Sequence, residues 1–391
     1  MSLDQQIDAV AANLKGKTAT ETECLHVTRR CMAAGRPFDA LLLLDMAVIR
    51  LPRSAALRTE LVSVLQSLET SGSLDTLIDR LPPRGDPVRQ WRSDLTQKFG
   101  AHHGPDGARP ASAHFFQSVL LKNLCQLIPQ EQPLWQVLLR ICEHHGRRAA
   151  EEAFGVPVAA PTAHADRTVS LAIGPKTARF GITSNSIGFE LLYFYAFEPG
   201  IIRWIAGFDA QDVLLDIGAN VGKYALLAAV VQGCRTYAVE PFTPNVEALK
   251  QNIAHNGAGD RVSAHRWAIS DRTGEGRLSY EKSTAGAAAQ NFDEPSTETG
   301  KAEIIPGYRL DDLLESRQIE FPHHIKIDVD GTEHRIIGGM EKTLSDPRLK
   351  SIRLEIRLAD PRNQTALARI RARGFDCAVD DDEKNWLCLR R

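Results

Sequence analysis

The stretch that decides the fold is VLLDIGANVG, residues 213–222, which continues directly into KYALLAAVV, residues 223–231. An apolar run, a glycine-containing turn and a helix-forming segment in this order predict a buried strand that leads into a helix. Open α/β sheets bind ligands beyond the carboxyl ends of such strands, and a glycine there lets a ligand approach the backbone. The stretch therefore predicts a nucleotide-type pocket.

The polar residues of this stretch favour one type of ligand. Asn220 stands where a dinucleotide-binding fingerprint has its second glycine, and Gly222-Lys-Tyr lacks both the spacing and the Ser or Thr of a phosphate-binding loop. A carboxylate at Asp216 disfavours phosphates but suits a cationic amine or ribose hydroxyls. S-adenosylmethionine offers both groups. A nucleotide-dependent oxidoreductase is the alternative enzyme, and binding of S-adenosylhomocysteine against NAD separates the two.

A second strand, TYAVE at 236–240, ends in an acidic residue 18 positions beyond Gly222, and Pro241 stops it. Glu240 can accept two hydrogen bonds from ribose hydroxyls, as acidic residues do in related nucleotide-binding folds. Thr243 is the predicted N-cap of a helix over 244–256. Glu240 is therefore the predicted ribose-binding residue.

Strands and helices alternate through the second half of the chain, and this pattern is typical of a parallel α/β sheet. The last two strands are separated only by 381–384, which predicts a final antiparallel hairpin. Upstream, VSLAIG and ARFGIT predict another hairpin, and the aromatic run after it predicts helices that cover one end of the sheet. The fold class is α/β, with a doubly wound, mostly parallel seven-stranded sheet formed by 213–217, 236–240, 262–268, 324–329, 351–357, 375–380 and 385–390.

The first part of the chain has a helical pattern instead. Residues 1–155 predict an α-helical N-terminal domain, with a linker near 82–112, ahead of the α/β domain at 156–391. The breaks at 35–37 and Pro52 suggest antiparallel helix pairs, either in a plain bundle or in a tetratricopeptide-like unit. This domain is a candidate for protein–protein contact or homo-oligomerisation. A non-catalytic scaffold that docks a partner through it is the alternative to an enzyme.

Several segments together resemble FkbM-type methyltransferases. They are DIGANVG, AVEP, KQNIAHNG, RWAISDRTG and HIKIDVDGTE, in the family's order, and the resemblance covers roughly 170–391. Where the family usually has Glu and Ala, this chain has Asp330 and Thr332. The resemblance implies a class I methyltransferase fold, S-adenosylmethionine as donor, and methylation of a hydroxyl on a saccharide, polysaccharide or hydroxylated metabolite.

The resemblance also implies roles for individual residues. The methionine and ribose end of the cofactor would lie against Asp216, Gly218, Ala219, Asn220 and Gly222, with Glu240 and Pro241 at the ribose. Trp267 and Ala268 would flank the adenine, for which an indole offers a broad stacking surface. Asp328 and Glu355 are the predicted catalytic residues, and Asp330, Glu333 and His334 are further candidates for binding the acceptor or its proton. A divalent metal between Asp328 and Glu355 is conceivable chemistry but is not predicted. The polar stretch 281–300 is the predicted acceptor-covering loop, with Gln290 and Asn291 as candidate donors to sugar hydroxyls.

Composition limits the partners and the compartment. Lys and Arg number 47 against 49 Asp and Glu, so no global charge favours nucleic acid or an anionic membrane. We find neither a signal-peptide pattern nor a long apolar run, and therefore expect a cytoplasmic protein without membrane insertion. The seven cysteines include no CxxC pair, so we expect buried reduced thiols rather than disulfides or a metal site.

Overall fold

The computed structural model describes residues 2–16, 18–51, 54–70, 143, 146–280, 285–286, 291–292, 301–380 and 384–391. The chain divides into two compact units, of which the second contains 147–391. None of the helices in the described ranges is long and apolar enough to cross a membrane.

All regular secondary structure in the described part of the N-terminal unit is helical. Thr20 begins the second helix with a reciprocal cap, because its hydroxyl accepts from Glu23 N and its own N–H donates to Glu23 Oε2. The expectation of helices broken near 35–37 is confirmed. The choice between bundle and repeat stays open, and the predicted linker at 82–112 lies outside the described residues. The helices are Leu3–Gly16, Glu21–Ala33, Pro37–Arg50 and Ala55–Thr70.

The second unit opens with a small antiparallel sheet, which confirms the predicted hairpin. It contains β1 (Thr162–Ala163), β2 (Thr168–Ile173) and β3 (Lys176–Gly181), in that order. Its turn includes Gly174, which has a positive φ of 56°. The aromatic run that follows forms three helices, as predicted: Asn185–Leu192, Phe194–Phe197 and Pro199–Ala206.

A seven-stranded sheet dominates the second unit. Its order is β13-β14-β12-β11-β4-β5-β6, and β14 is antiparallel to both its neighbours while the other pairs are parallel. The predicted final hairpin is therefore confirmed. The strands are β4 (Val213–Ile217), β5 (Arg235–Val239), β6 (Val262–His265), β11 (His324–Ile327), β12 (Ser351–Glu355), β13 (Phe375–Val379) and β14 (Asn385–Arg390).

Both faces of this sheet are buried, which explains why its central strands have near-continuous apolar sequences. Leu214 and Ala238 belong to one core cluster, whereas Leu215 and Ile325 belong to the cluster on the opposite face. Helices cover the two faces as in a doubly wound fold. They are Lys223–Leu227, which continues as a π-helical turn over Ala228–Gln232, and Thr243–His255, Leu310–Glu315, Glu333–Gly338, Glu341–Ser345 and Pro361–Ala372.

A third, four-stranded sheet was missed by the sequence analysis. It contains β7 (Ala268–Ile269), β8 (Gly274–Tyr280), β9 (Asn291–Phe292) and β10 (Lys301–Tyr308), in the order β7-β10-β8-β9. The predicted strand 262–268 was therefore wrong in its extent, because β6 ends at His265 and Ala268 begins a strand of this other sheet. The polar segment 281–300 is not wholly a loop, since Asn291 lies in β9; Gln290 lies outside the described residues.

Two further predictions need correction. The N-cap of the helix Thr243–His255 is Phe242, and Thr243 is already helical. The expectation of only reduced thiols was wrong for Cys377 and Cys388, which form a disulfide. These residues are directly opposite in the antiparallel pair of β13 and β14, a register that cysteine spacing alone does not reveal.

The expectation of buried reduced thiols holds for three cysteines of the described residues: Cys24, Cys31 and Cys234. Burial raises the pKa of Cys24 and of Cys31 to about 11, which keeps both thiols protonated and unreactive. Cys125 and Cys142 lie outside the described residues.

Candidate active site

The turn at residues 218–222 connects β4 to the following helix and is held against the end of β5. Gly218 N–H and Ala219 N–H both donate to the carbonyl oxygen of Val239, at 2.9 and 3.1 Å. These two bonds fix the turn beside Glu240, the residue that directly follows β5. The turn and the acidic residue therefore lie together at the carboxyl edge of the sheet, as the sequence analysis expected.

The glycines of this turn are required by the backbone and by close packing. Gly218 has a φ of 79°, and a Cβ on it would lie 1.9 Å from the carbonyl oxygen of Asp328. The sequence predicted that a ligand approaches Gly218, but the space beside this glycine is occupied by the backbone of Asp328, directly after β11. Gly222 has a φ of 86°, and its Cβ would lie 2.4 Å from Leu249 Cδ1. Both positions exclude a side chain.

Asn220 also adopts the left-handed conformation, with a φ of 51°. Asparagine tolerates this region better than most residues with a side chain, which explains why it can replace a glycine of the usual pattern. Its N–H donates to Glu240 Oε2 at 2.9 Å. Its buried side-chain oxygen Oδ1 has no hydrogen-bond partner among the described residues. The residue therefore contributes one satisfied donor and one unsatisfied acceptor.

Glu240 is only 3% exposed and lies beneath the turn. Its carboxylate accepts from Phe242 N at 3.0 Å and from Asn245 Nδ2 at 3.3 Å, in addition to Asn220. Burial raises its pKa to about 7, although these hydrogen bonds act in the opposite direction. The residue is a buried acceptor at the place where the sequence predicted the ribose.

Asp216 is the most deeply buried acid of the site, with 1% exposure. Neither of its carboxylate oxygens has a hydrogen-bond partner in the described part of the chain. The nearest cation is Lys326 Nζ, 3.5 Å from Oδ1. Burial raises the pKa of Asp216, while the charge of Lys326 opposes this rise. Two unsatisfied buried oxygens make this carboxylate available to a ligand that donates hydrogen bonds.

Lys326 is the site residue that the sequence analysis quoted without a role. It is paired with Asp216 in the register of β4 and β11, and its Nζ also donates to Asp328 Oδ2 at 2.9 Å. Burial favours its neutral form, but the charges of Asp328 and Asp216 outweigh that effect and raise its pKa. A lysine inside the apolar strand HIKI was the available signal, because a buried ammonium requires carboxylate partners.

Residues from the upstream helices reach the same region. Tyr224 donates to the carboxylate of Glu198, and Lys223 forms an ion pair with Glu190. The Lys326 ammonium lies 5.6 Å from the centroid of the Tyr224 ring, within the range of a cation–π contact. The sequence analysis gave Tyr224 and Glu198 no role, since nothing in their local sequence shows that these helices approach the end of β11.

Three carboxylates lie near the carboxyl ends of β11 and β12, the strands on the side of β4 that is opposite to β5. Asp328 follows β11, Glu355 ends β12, and Glu333 begins the next helix. Lys384 Nζ donates to Glu355 Oε1 at 2.7 Å, and burial raises the pKa of Glu355. Within the described ranges, no group of three or more His, Cys, Asp or Glu side chains is arranged to hold a metal ion.

The residues predicted to flank the adenine lie beside the end of β6. The ring of Trp267 stacks on His265 with centroids 4.1 Å apart and an interplanar angle of 26°. Glu240 N–H donates to the carbonyl oxygen of His265 at 3.0 Å, which brings this aromatic pair next to the predicted ribose residue. Pro241 follows Glu240 and is half-buried, whereas Ala268 is buried in β7.

The fold and its site define a class of protein. Counted along the chain, the strands of the large sheet follow the order 3-2-1-4-5-7-6 with the seventh antiparallel, which is the topology of class I methyltransferases. Residues 216–377 match the family model described as the methyltransferase FkbM domain. The second unit of this chain therefore has a class I methyltransferase fold and is similar to methyltransferases of the FkbM family.

Two relatives with known activities are similar over this part of the chain. The 31-O-demethyl-FK506 methyltransferase FkbM of Streptomyces tacrolimicus is 25% identical over 198 residues, covering 44% of this chain and 75% of that protein. The hexuronic acid methyltransferase AglP of Haloferax volcanii is 28% identical over 160 residues, covering 41% of this chain and 62% of AglP. The chain thus spans less than two thirds of AglP.

A solved structure of methyltransferase FkbM from Methylobacillus flagellatus is also similar, at 13% identity. The match covers 71% of this chain and 60% of that one, with a TM-score of 0.34.

Proposed function

We propose that this protein is an S-adenosylmethionine-dependent O-methyltransferase that acts on a hydroxyl of a saccharide or of a glycosylated or hydroxylated metabolite. The observation that carries the cofactor assignment is the set of unsatisfied buried acceptors, Asp216 and Asn220, next to Glu240. They lie at the carboxyl edge of the sheet, where α/β folds bind nucleotides.

The hydrogen-bond acceptors of the site fit the donors of this cofactor. An amine and ribose hydroxyls supply the hydrogen-bond donors that buried carboxylate and amide oxygens lack. Asp216 and Asn220 would accept from the amino acid end, Glu240 would accept from the ribose, and Trp267 would stack on the adenine. The sulfonium group of this cofactor supplies an activated methyl group.

The acceptor class is supported by the relatives. The name of one relative specifies methylation at an oxygen of FK506, and that of the other specifies a hexuronic acid. Methyl transfer to an alcohol needs a positioned hydroxyl and a group that receives its proton. The carboxylates Asp328, Glu333 and Glu355 lie close enough to influence one another's charge after β11 and β12, and they provide candidates for both tasks. No step of this reaction is assigned to a metal.

Calorimetric titration tests the cofactor first. We expect the full chain to bind S-adenosylhomocysteine and not NAD, because Asp216 and Glu240 suit an amine and a ribose rather than a pyrophosphate. Glu240→Ala should weaken S-adenosylhomocysteine binding at least about tenfold. Glu247→Gln is the matched control, since this exposed acid lies on the helix that follows Glu240. NAD binding with no S-adenosylhomocysteine binding would indicate an oxidoreductase instead.

Methyl transfer is measured with radiolabelled cofactor against a panel of neutral sugars, uronic acids, amino sugars and macrolide alcohols. We expect label in an alkali-stable ether product of at least one hydroxylated acceptor. Label found only on nitrogen or carboxyl groups would contradict O-methylation while leaving methyltransferase activity intact.

A further inference from the structure

We propose that Glu333 is the residue that takes the acceptor's proton during methyl transfer, through its buried oxygen Oε2. The assignment rests on the proposed function, and it differs from the sequence-based expectation, which favoured Asp328. It follows from the different partners of the three carboxylates Asp328, Glu333 and Glu355.

Two of these carboxylates are already paired with cations. Asp328 Oδ2 accepts a hydrogen bond from Lys326, and Glu355 Oε1 accepts one from Lys384. Protonating either of them during the reaction would remove a counter-charge from a lysine, and Lys326 is fully buried. The loss of a counter-charge is unfavourable for buried Lys326, and the partly exposed pair of Lys384 with Glu355 also stabilises the ionised form of Glu355.

Glu333 differs because it has no cationic partner in the part of the chain that the structure describes. It is 3% exposed; its Oε1 accepts from Gly331 N at 3.1 Å, and its Oε2 has no hydrogen-bond partner among the described residues. An unpaired buried carboxylate gains free energy when it becomes neutral. Proton transfer to Oε2 therefore removes the unfavourable free energy of a buried negative charge.

The electrostatic environment supports the same assignment. Burial raises the pKa of Glu333 to about 7, the charges of Asp328 and Glu355 act in the same direction, and the N–H of Gly331 opposes them. A base whose pKa lies near the working pH is present in its ionised form in a large fraction of molecules and still holds a proton well. Glu333 meets both requirements at neutral pH.

The chemical step balances without another reactant. The acceptor oxygen forms a bond to the methyl carbon, the electron pair of the breaking carbon–sulfur bond goes to sulfur, and the hydroxyl proton passes to Glu333 Oε2. The sulfonium charge disappears as the carboxylate becomes neutral. Solvent then removes the proton from Glu333 between turnovers.

Variants of the full chain test the assignment. Glu333→Gln should bind S-adenosylhomocysteine within about threefold of the wild type, yet lower the methyl-transfer rate about a hundredfold or more. Glu333→Asp should recover part of that rate, and the rise of the wild-type rate around pH 7 should disappear in Glu333→Gln. A Glu333→Gln protein with an unchanged methyl-transfer rate would overturn the proposal.

A second measurement needs no acceptor. In the S-adenosylhomocysteine complex of protein labelled with ¹³C at glutamate carboxyl carbons, the resonance missing from Glu333→Gln should titrate near pH 7. Titration of that resonance below about pH 5 would overturn the proposal. Failure of the wild type to bind S-adenosylhomocysteine would instead refute the proposed function, so the two failures are distinguishable.

Discussion

Replacement of Glu240 by glutamine should change how the stability of the protein depends on pH. The pKa of this carboxyl is about 7 in the folded chain against 4.5 for an ordinary glutamate. The folded state therefore holds the proton more tightly than the unfolded state does. The stability contributed by this proton is fully present below about pH 4.5, falls as the pH rises, and is lost above about pH 7.

The size of the effect follows from the same difference. At 1.36 kcal/mol per pH unit, the contribution amounts to about 3 kcal/mol. A glutamine cannot ionise, so the Glu240→Gln variant lacks this dependence. Between about pH 4 and pH 8 we expect the free energy of unfolding of the wild type to fall by about 3 kcal/mol relative to that of the variant.

Urea unfolding of the cofactor-free chain at a series of pH values measures this difference. Three of the five tryptophans, Trp204, Trp267 and Trp386, lie in the second unit, so tryptophan fluorescence reports largely its unfolding. Other titrating groups, including Glu333, are common to both proteins and cancel in the comparison. For the control Glu247→Gln, on the exposed face of the neighbouring helix, the free energy of unfolding should depend on pH as it does in the wild type. If the free energy of unfolding had the same pH dependence in the wild type and in Glu240→Gln, the reasoning would be refuted.

Three further predictions concern the turn, the buried lysine and the domain boundary. Gly218→Ala should destabilise the chain by about 2 kcal/mol or more and weaken S-adenosylhomocysteine binding in calorimetry, because the new Cβ would meet the carbonyl oxygen of Asp328. The control Gly259→Ala, whose Cβ would have open space around it, should change neither stability nor binding. Lys326→Met should cost about 3 to 5 kcal/mol in urea unfolding, because it leaves two carboxylates without their cation, and a variant that also carries Asp216→Asn should recover part of this loss. The fragment 147–391 should bind S-adenosylhomocysteine. It should also have a higher melting temperature than the fragment 156–391, because Ala150 packs in the same core cluster as Leu214 of the large sheet. Equal melting temperatures would contradict a domain boundary at residue 147.

The large sheet was predictable because parallel strands buried on both faces have apolar sequences. The strands beginning at Val213 and His324 are of this type, and their carboxyl ends had to meet at one edge. The same geometry predicts that Asp216, Glu240 and Asp328 lie in one region. Their roles with the cofactor and acceptor stay predictions.

The four-stranded sheet could not be predicted from the same signals. β8 and β10 contain charged and glycine residues, and β7 and β9 have only two residues each. Such strands are stabilised mainly by pairing with a distant partner, so their local sequence carries little information. The disulfide between Cys377 and Cys388 was missed for a related reason, since it depends on strand register.

The sequence also did not reveal why residue 218 must be a glycine. A glycine at the end of a strand suggests an approaching ligand, but here the approaching group is the backbone of Asp328, more than a hundred residues further along the chain. Lys326 was visible as a charge in an apolar strand, yet its two partners depend on the pairing of β4 with β11.

That pairing has a consequence for folding fidelity. β4 and β11 are both apolar, so their hydrophobic residues alone would stabilise several alignments almost equally. A shift by one residue would turn the ammonium of Lys326 to the opposite face of the sheet, away from Asp216 and among side chains such as Leu215 and Ile217. The buried charge therefore penalises misaligned pairing of these strands, and the residues that form the candidate site also select the alignment in which that site exists.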